Sequence, residues 1–155
     1  MRNWKVRLTI AGLLAVCGAG AAEVGRTETL FVRLGGMPAV HAVVDDLWPR
    51  IVNDVRINKW FAEAAADPER AAAYRSKLAS LLCQATGGPC QYSGDMVAAH
   101  AGRGITPEAF AAMASDIEAT LEHLKVNARE KSEALALLGT LKPAVVSKDA
   151  AEGKR

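Results

Sequence analysis

The residues best suited to chemistry lie between Met96 and Gly104, where the chain reads MVAAHAGRG. His100 stands there among small residues, and a neutral imidazole is the commonest side-chain ligand of a transition metal in proteins. The small neighbours leave room for a flat group to approach the backbone closely. The same pattern is typical of a tight contact between helices with a structural histidine. These nine residues alone leave both interpretations open.

The chain around His100 resembles the group I truncated haemoglobins. The similar run comprises GGPCQYSGDM before the histidine and GRGIT after it, residues 87–106, and the segment LFVRLGGMPAV from Leu30 is similar to the opening of that family. The resemblance extends to about Val146. It implies an all-α, truncated globin-like two-over-two helical sandwich that holds haem b (iron protoporphyrin IX), with His100 as the proximal ligand of the iron.

The resemblance also assigns other residues to the haem site. Phe61 corresponds to the aromatic residue that packs against the haem plane, although an ordinary core phenylalanine would look the same. Lys77 and Tyr92 match positions that contact the haem propionates in relatives. Met96, one turn before His100, and Leu78 complete the predicted cofactor-binding set.

The distal side departs from the common pattern of the family. Trp48 stands where a tyrosine usually hydrogen-bonds the ligand of the iron, and Leu78 stands where a glutamine is frequent. The predicted distal pocket is therefore Trp48, Tyr74 and Leu78. The Tyr74 hydroxyl and the Trp48 indole N–H are both candidate donors, and core packing is the alternative role of each.

Helical patterns indicate the elements that position these residues. Apolar residues spaced by three and four predict long helices over residues 38–52, 68–85, 107–124 and 128–146, and no stretch alternates as a strand would. Asp67-Pro68 and Thr106-Pro107 are typical helix starts, in which a capping side chain precedes a proline. Pro49 and Pro143 are expected to kink or shorten their helices.

The apolar stripes of these helices are predicted to form the core. In the helix over residues 68–85 the stripe is Tyr74, Leu78, Leu81, Leu82 and Ala85. In the last helix it is Leu135, Leu138, Leu141 and Val145. Asp45 and Asp46 are expected to be solvated, and His41 and His123 to lie on the surface.

The N-terminus is predicted to be a signal peptide over residues 1–22. Three basic residues precede the apolar run 8–16, and small residues follow it. Cleavage after about Ala22 would leave a periplasmic or secreted globin domain over 27–147 and a flexible charged tail over 148–155. An uncleaved anchor, which would be the only contact with a membrane, and lipidation at Cys17 are the alternatives.

Charge argues against nucleic acid as a partner. The full chain has 19 basic and 17 acidic residues, a formal charge of +2. Removal of Arg2, Lys5 and Arg7 with the signal peptide changes the charge to −1, by subtraction of three. No basic stripe is left to neutralise phosphates.

Cys83 and Cys90 form an even pair in the expected mature chain. A disulfide between them is plausible because QATGGP between them contains a turn, and two free thiols are the alternative. No CxxCH occurs, so covalent haem attachment of the c type is not indicated.

The function implied by the resemblance is reversible binding of dioxygen or another diatomic gas, nitric oxide or carbon monoxide, at an iron held by His100. An enzymatic role such as nitric oxide dioxygenation is less favoured because it needs a reductase. A haem-free helical interaction module on a globin fold is the alternative from another class. The missing distal pair and the volume of Trp48 favour that alternative, whereas His100 and Phe61 oppose it.

Overall fold

The computed structural model describes residues 28–147, which are helical. Their elements are α1 (Leu30–Leu34), α2 (Gly36–Asn53), a 3₁₀ turn (Asn58–Trp60), α3 (Ala62–Ala65), α4 (Pro68–Ala85), α5 (Met96–His100), α6 (Pro107–His123) and α7 (Ala128–Val145). The predicted all-α class is confirmed for this part of the chain. None of these helices is both long and apolar enough to cross a membrane. The predicted signal peptide and charged tail lie outside the described residues.

The four long helices form two pairs. Helix α2 packs on α4, α6 packs on α7, and the pairs meet mainly through contacts between α2 and α6. The short helix α5 packs on α7, and α1 touches both α2 and α7. This is the two-over-two sandwich implied by the resemblance, and α4 and α7 border the space between the pairs.

Both predicted helix starts are present. The Asp67 carboxylate accepts hydrogen bonds from the backbone N–H groups of Glu69 and Arg70, at 2.8 and 3.2 Å. The Thr106 hydroxyl accepts from the backbone N–H of Ala109 at 3.2 Å. Each cap satisfies donors that the first helical turn would otherwise leave free, which explains why α4 and α6 begin at the following prolines.

Pro49 does not end α2. The helix continues to Asn53, and the Asn53 side-chain amide donates to the Pro49 carbonyl at 2.7 Å. Proline removes one backbone donor, and a single lost hydrogen bond leaves the flanking turns intact where tertiary packing holds them. Buried Ile51, two residues after Pro49, provides that packing. Pro143 lies in the last turn of α7, which ends at Val145.

The predicted core stripes divide between true core and cavity wall. In α4 the fully buried residues are Ala79 and Cys83. The predicted stripe residues Tyr74, Leu78, Leu81 and Leu82 are half-buried and line a cavity, and Ala85, at the last turn, is exposed. In α7 the residues Leu138, Leu141 and Val145 do the same, and Leu135 is half-buried. The sequence analysis therefore predicted more burial than the structure shows. An apolar stripe does not reveal whether it faces another helix or a cavity.

The remaining apolar residues form two buried clusters. One contains Leu47, Ile51, Ile57 and Phe61 with Ile105 of the loop before α6, and the other contains Val40 and Val44 of α2 with Ala79 and Cys83 of α4. The first cluster therefore joins the two helix pairs, and the second cluster fixes α4 against α2.

A disulfide joins Cys83, near the end of α4, to Cys90 in the following loop, with the two Cα atoms 5.8 Å apart. Closing this short loop stabilises the folded chain by about 2.5 kcal/mol in the chain-entropy description. At Gly88, inside the loop, an added Cβ would lie 2.6 Å from the sulfur of Cys83, so the turn accepts only glycine. Disulfides persist in oxidising compartments, and export of this chain stays a prediction.

Asp46 and His123 link α2 to α6. Asp46 accepts from Arg50 Nε at 2.7 Å and contacts His123 Nδ1 at 2.5 Å. Its side chain is 16% exposed, so the expectation that it is solvated was wrong, while His123 is exposed as predicted. The Arg50 guanidinium holds the pKa of the Asp46 carboxyl below its usual range, and burial partly opposes this.

Candidate functional site

A cavity of about 820 Å³ lies between the two helix pairs. Cofactor sites in proteins occupy about 300–1,000 Å³, so the volume suits a flat organic group rather than a single ion. Its wall is mostly apolar and comes from α2, α4, α5, α6 and α7, including Leu47, Leu78, Phe110, Met113, Ile117 and Leu141.

His100 lies on the wall at the end of α5, half-buried. Its Nδ1 atom lies 2.6 Å from the backbone carbonyl oxygen of Met96, one turn earlier. A carbonyl oxygen only accepts hydrogen bonds, so Nδ1 carries the proton and donates. In the neutral ring Nε2 is then the unprotonated nitrogen, with a free lone pair.

The Nε2 atom of His100 makes no hydrogen bond within residues 28–147. Metal-binding histidines commonly donate a hydrogen bond from one ring nitrogen to a carbonyl oxygen and keep the other nitrogen free for the metal. The hydrogen bond fixes both the tautomer and the orientation of the ring. No group of three or more His, Cys, Asp or Glu side chains in this part of the chain forms a site for a bare metal ion. An imidazole held in this way is suited to bind an iron that a cofactor supplies.

The opposite wall belongs to α4 and to the segment before it. Tyr74 and Leu78 of α4 line the cavity together with Phe61, which is buried. The Tyr74 and Phe61 rings meet edge to face with centroids 5.6 Å apart. Because His100 lies on α5, which packs on α7, the tyrosine and the histidine face the cavity from different helix pairs.

The Tyr74 hydroxyl makes no hydrogen bond with any residue from 28 to 147. Burial raises the pKa of Tyr74 to about 12, because the phenolate would lose its hydration in the apolar wall; Tyr92 adds to the shift and Arg103 opposes it. The hydroxyl is thus protonated at any physiological pH and is a free hydrogen-bond donor beside the cavity.

Trp48 is not part of the cavity wall. It packs against Tyr74 with ring centroids 5.4 Å apart, and its predecessor Leu47 occupies the wall. Of the three residues predicted for the distal pocket, Tyr74 and Leu78 are thus brought together at the cavity, while Trp48 supports Tyr74.

The rim of the cavity carries the other predicted residues. Lys77, Tyr92 and Met96 line it together with His100. Lys77 is exposed and forms no ion pair within the described residues, so its ammonium is available to an anionic substituent of a cofactor. A haem propionate has that charge.

Two rim residues were missed by the sequence analysis. Arg103 lines the cavity as a second cation, and Trp60 lines it from the 3₁₀ turn, with its indole N–H donating to the Arg103 carbonyl oxygen at 2.9 Å. Because the acceptor is a backbone carbonyl, no sequence pattern predicts this hydrogen bond. Trp60 could have been suspected from its position beside Phe61, but the sequence analysis assigned a haem-packing role to Phe61 alone.

The described residues fit haem. An apolar slot with an aromatic edge, an imidazole with a free Nε2 and cations at the rim match its flat apolar ring, its iron and its two carboxylates.

Comparison with known proteins agrees with this fit. The family model of bacterial-like globins matches residues 29–147. The group 1 truncated haemoglobin GlbN of a Nostoc species is 32% identical over 122 residues, which are 78% of this chain and 99% of that protein. Its counterpart from a Synechocystis species is 34% identical, over 72% of this chain and 90% of that protein.

Solved structures show the same similarity. The truncated haemoglobin of Tetrahymena pyriformis, as a variant in the Fe(III) form, superposes with a TM-score of 0.71 at 25% identity, covering 78% of this chain and all of that one. The 2/2 haemoglobin of a Synechococcus species, in the cyanomet state with covalently attached haem, gives a TM-score of 0.66 at 27% identity, over 74% and 94% of the two chains.

The buried state of Tyr74 predicts an unusual titration. The chain has two tyrosines, Tyr74 and Tyr92. In the haem-free protein, phenolate absorbance at 295 nm should include a step near pH 12 that Tyr74→Phe removes and Tyr92→Phe retains. Since the folded chain holds this proton more tightly than the unfolded chain, the contribution of Tyr74 to stability is present below pH 10 and is lost as pH rises to about 12. If Tyr74→Phe instead removed a step near pH 10 and left the step near pH 12 in place, the hydroxyl of Tyr74 would not be buried.

Proposed function

We propose that this chain, which belongs to the bacterial-like globin family and within it to the group I truncated haemoglobins, binds haem b through Nε2 of His100 and reversibly binds dioxygen. Membership of this family supports the general function, which is to bind haem and a diatomic gas. The identity of the iron ligand, the haem type and the preferred gas are our proposals.

The observation that supports His100 most strongly is its hydrogen bond to Met96. With Nδ1 donating to the carbonyl at 2.6 Å, the only lone pair of the ring that can bind a metal is on Nε2. The ring lines a cavity of cofactor size. His41 and His123 are exposed, and neither lines that cavity.

Bound haem would supply an iron that binds diatomic gases. Nε2 of His100 would hold that iron, and the hydrogen bond from its Nδ1 to the Met96 carbonyl fixes the orientation of the ring. Phe61 and the leucines of the wall exclude water from the slot, and Lys77 holds an anionic substituent at the rim. Tyr74 faces the slot from the other helix pair with a proton available for donation.

Tyr74 is the proposed donor to the bound gas. Its hydroxyl is free and protonated, and it lines the cavity. Trp48, in contrast, does not line the cavity. A hydrogen bond from Tyr74 to a group that carries charge would contribute about 1.5–3 kcal/mol. Tyr74 would therefore favour a strongly polarised ligand such as dioxygen over a less polarised one such as carbon monoxide.

The haem-free interaction module has less support. Its two grounds were the missing distal pair and the volume of Trp48. Trp48 packs beside Tyr74 and leaves a cavity of about 820 Å³, and the Tyr74 hydroxyl provides a donor at the cavity.

Replacement of the proposed iron ligand tests the haem proposal. His100→Ala should raise the dissociation constant for haem at least about 100-fold, because a lost ligand costs more than the 10–100-fold of a lost supporting residue. Haem titration followed at the Soret band measures this, and added imidazole should restore part of the band. His41→Ala, an exposed histidine of α2, is the matched control. Equal haem affinity in His100→Ala and wild type would show that His100 is not the ligand.

Removal of the proposed donor tests the role of Tyr74. Tyr74→Phe should speed dioxygen release at least about tenfold, the factor that corresponds to ~1.4 kcal/mol. Carbon monoxide release should change less. Stopped-flow displacement measures both rates, and Trp48→Phe, which removes an indole N–H outside the wall, serves as the control. A larger effect of Trp48→Phe than of Tyr74→Phe would assign the donor to Trp48 instead.

A further inference from the structure

The loop that follows His100 has few attachments to the rest of the protein. Residues 101–104 are all exposed. Gly102 and Gly104 have φ values of +69° and +62°, and a Cβ added at either would meet no atom within 4 Å. Packing therefore does not hold this loop, although it begins at the residue proposed to bind the iron.

The hydrogen bonds of the loop come from three places. The backbone N–H of Ala101 donates to Val97 at 2.9 Å, and that of Arg103 donates to His100 at 3.3 Å, which is long. Both bonds are local, and neither attaches the loop to another element of the fold. The third bond, from Trp60 Nε1 to the Arg103 carbonyl oxygen at 2.9 Å, comes from another part of the fold.

The far end of the loop is fixed separately. The Ile105 backbone N–H donates to the Ser147 hydroxyl at 3.1 Å, and the Ser147 N–H donates back to the Ile105 carbonyl at 2.9 Å. Ile105 is also buried in the core. Between this anchor and α5, the Trp60 bond is the side-chain hydrogen bond that reaches the loop within the described residues.

Trp60 itself is well held. It belongs to the 3₁₀ turn that precedes buried Phe61, its backbone N–H donates to Ile57 at 3.2 Å, and the Lys59 ammonium lies 4.4 Å from the centre of its ring. Phe61 in turn contacts Tyr74 on the opposite wall. The indole therefore attaches the exposed loop to a partly buried side chain that packs against the core.

We propose that Trp60 is a positioning residue for His100: its indole N–H holds the Arg103 carbonyl and thereby fixes the position and orientation of the His100 imidazole. This proposal rests on the proposed function of His100. Trp60 donates no group to the iron or the gas. It acts through Ala101 and Gly102, the two residues between His100 and Arg103.

The test of this role compares Trp60→Phe with wild type. Phenylalanine keeps an aromatic ring at the cavity edge but removes the donor. In the haem-loaded ferrous protein without gas, the iron–histidine stretching band in resonance Raman spectra should move and broaden, because His100 samples more orientations. Haem transfer to a haem-scavenging globin should accelerate roughly fivefold, the size of effect expected for one neutral hydrogen bond. Lys59→Ala, which removes the cation over the ring and leaves the indole bond, should keep the wild-type band and transfer rate. An unchanged band and rate in Trp60→Phe would overturn the proposal.

A second measurement needs neither haem nor a variant. In the haem-free wild-type chain, the indole N–H of Trp60 should exchange with solvent at least about fivefold more slowly than the indole N–H of free tryptophan. Equal exchange would show that the bond to Arg103 does not form. Because this result does not depend on haem, it separates failure of the Trp60 proposal from failure of the haem proposal, which would appear as a wild-type protein without a Soret band.

Discussion

One hydrogen bond determines what the site is able to do, the one between His100 Nδ1 and the Met96 carbonyl oxygen, at 2.6 Å. It forces the ring into the tautomer with a free lone pair on Nε2, the atom that a haem iron needs. It also limits rotation of the ring within α5. Without it the imidazole could adopt either tautomer, and the cavity would have no nitrogen fixed in the form that binds iron.

That bond requires α5 to exist, and α5 cannot be stable alone. It has five residues, far fewer than an isolated helix needs in water. The Asp95 side chain caps it by accepting from the Ala98 N–H at 3.0 Å, and α7 supports it by packing. The disulfide shortens the loop before it, and the Trp60 indole holds the loop after it. The ligand helix is thus supported from both ends and from one side.

Sequence patterns predicted the parts of this fold whose causes are local. Asp67-Pro68 and Thr106-Pro107 carry their own capping groups, so α4 and α6 were placed to the residue at their starts. The role of His100 came from a resemblance, and its carbonyl partner from the structure. Trp48 and Tyr74 could not be ranked from sequence, because adjacent positions on two packed helices decide which ring reaches the cavity. The Trp60 bond joins residues 43 positions apart through a backbone atom, and no sequence pattern encodes such an acceptor.

The central claim is that this chain holds haem on His100 and leaves the Tyr74 side open to a gas. The most direct measurement is the absorption spectrum of the protein produced with a supply of haem, recorded in ferric, dithionite-reduced and carbon-monoxide-bound forms. We predict a Soret band that shifts on reduction and shifts again with carbon monoxide, since a histidine-held iron with an open second axial position binds that gas when ferrous. No haem uptake, even after reconstitution of the folded protein, would contradict the account.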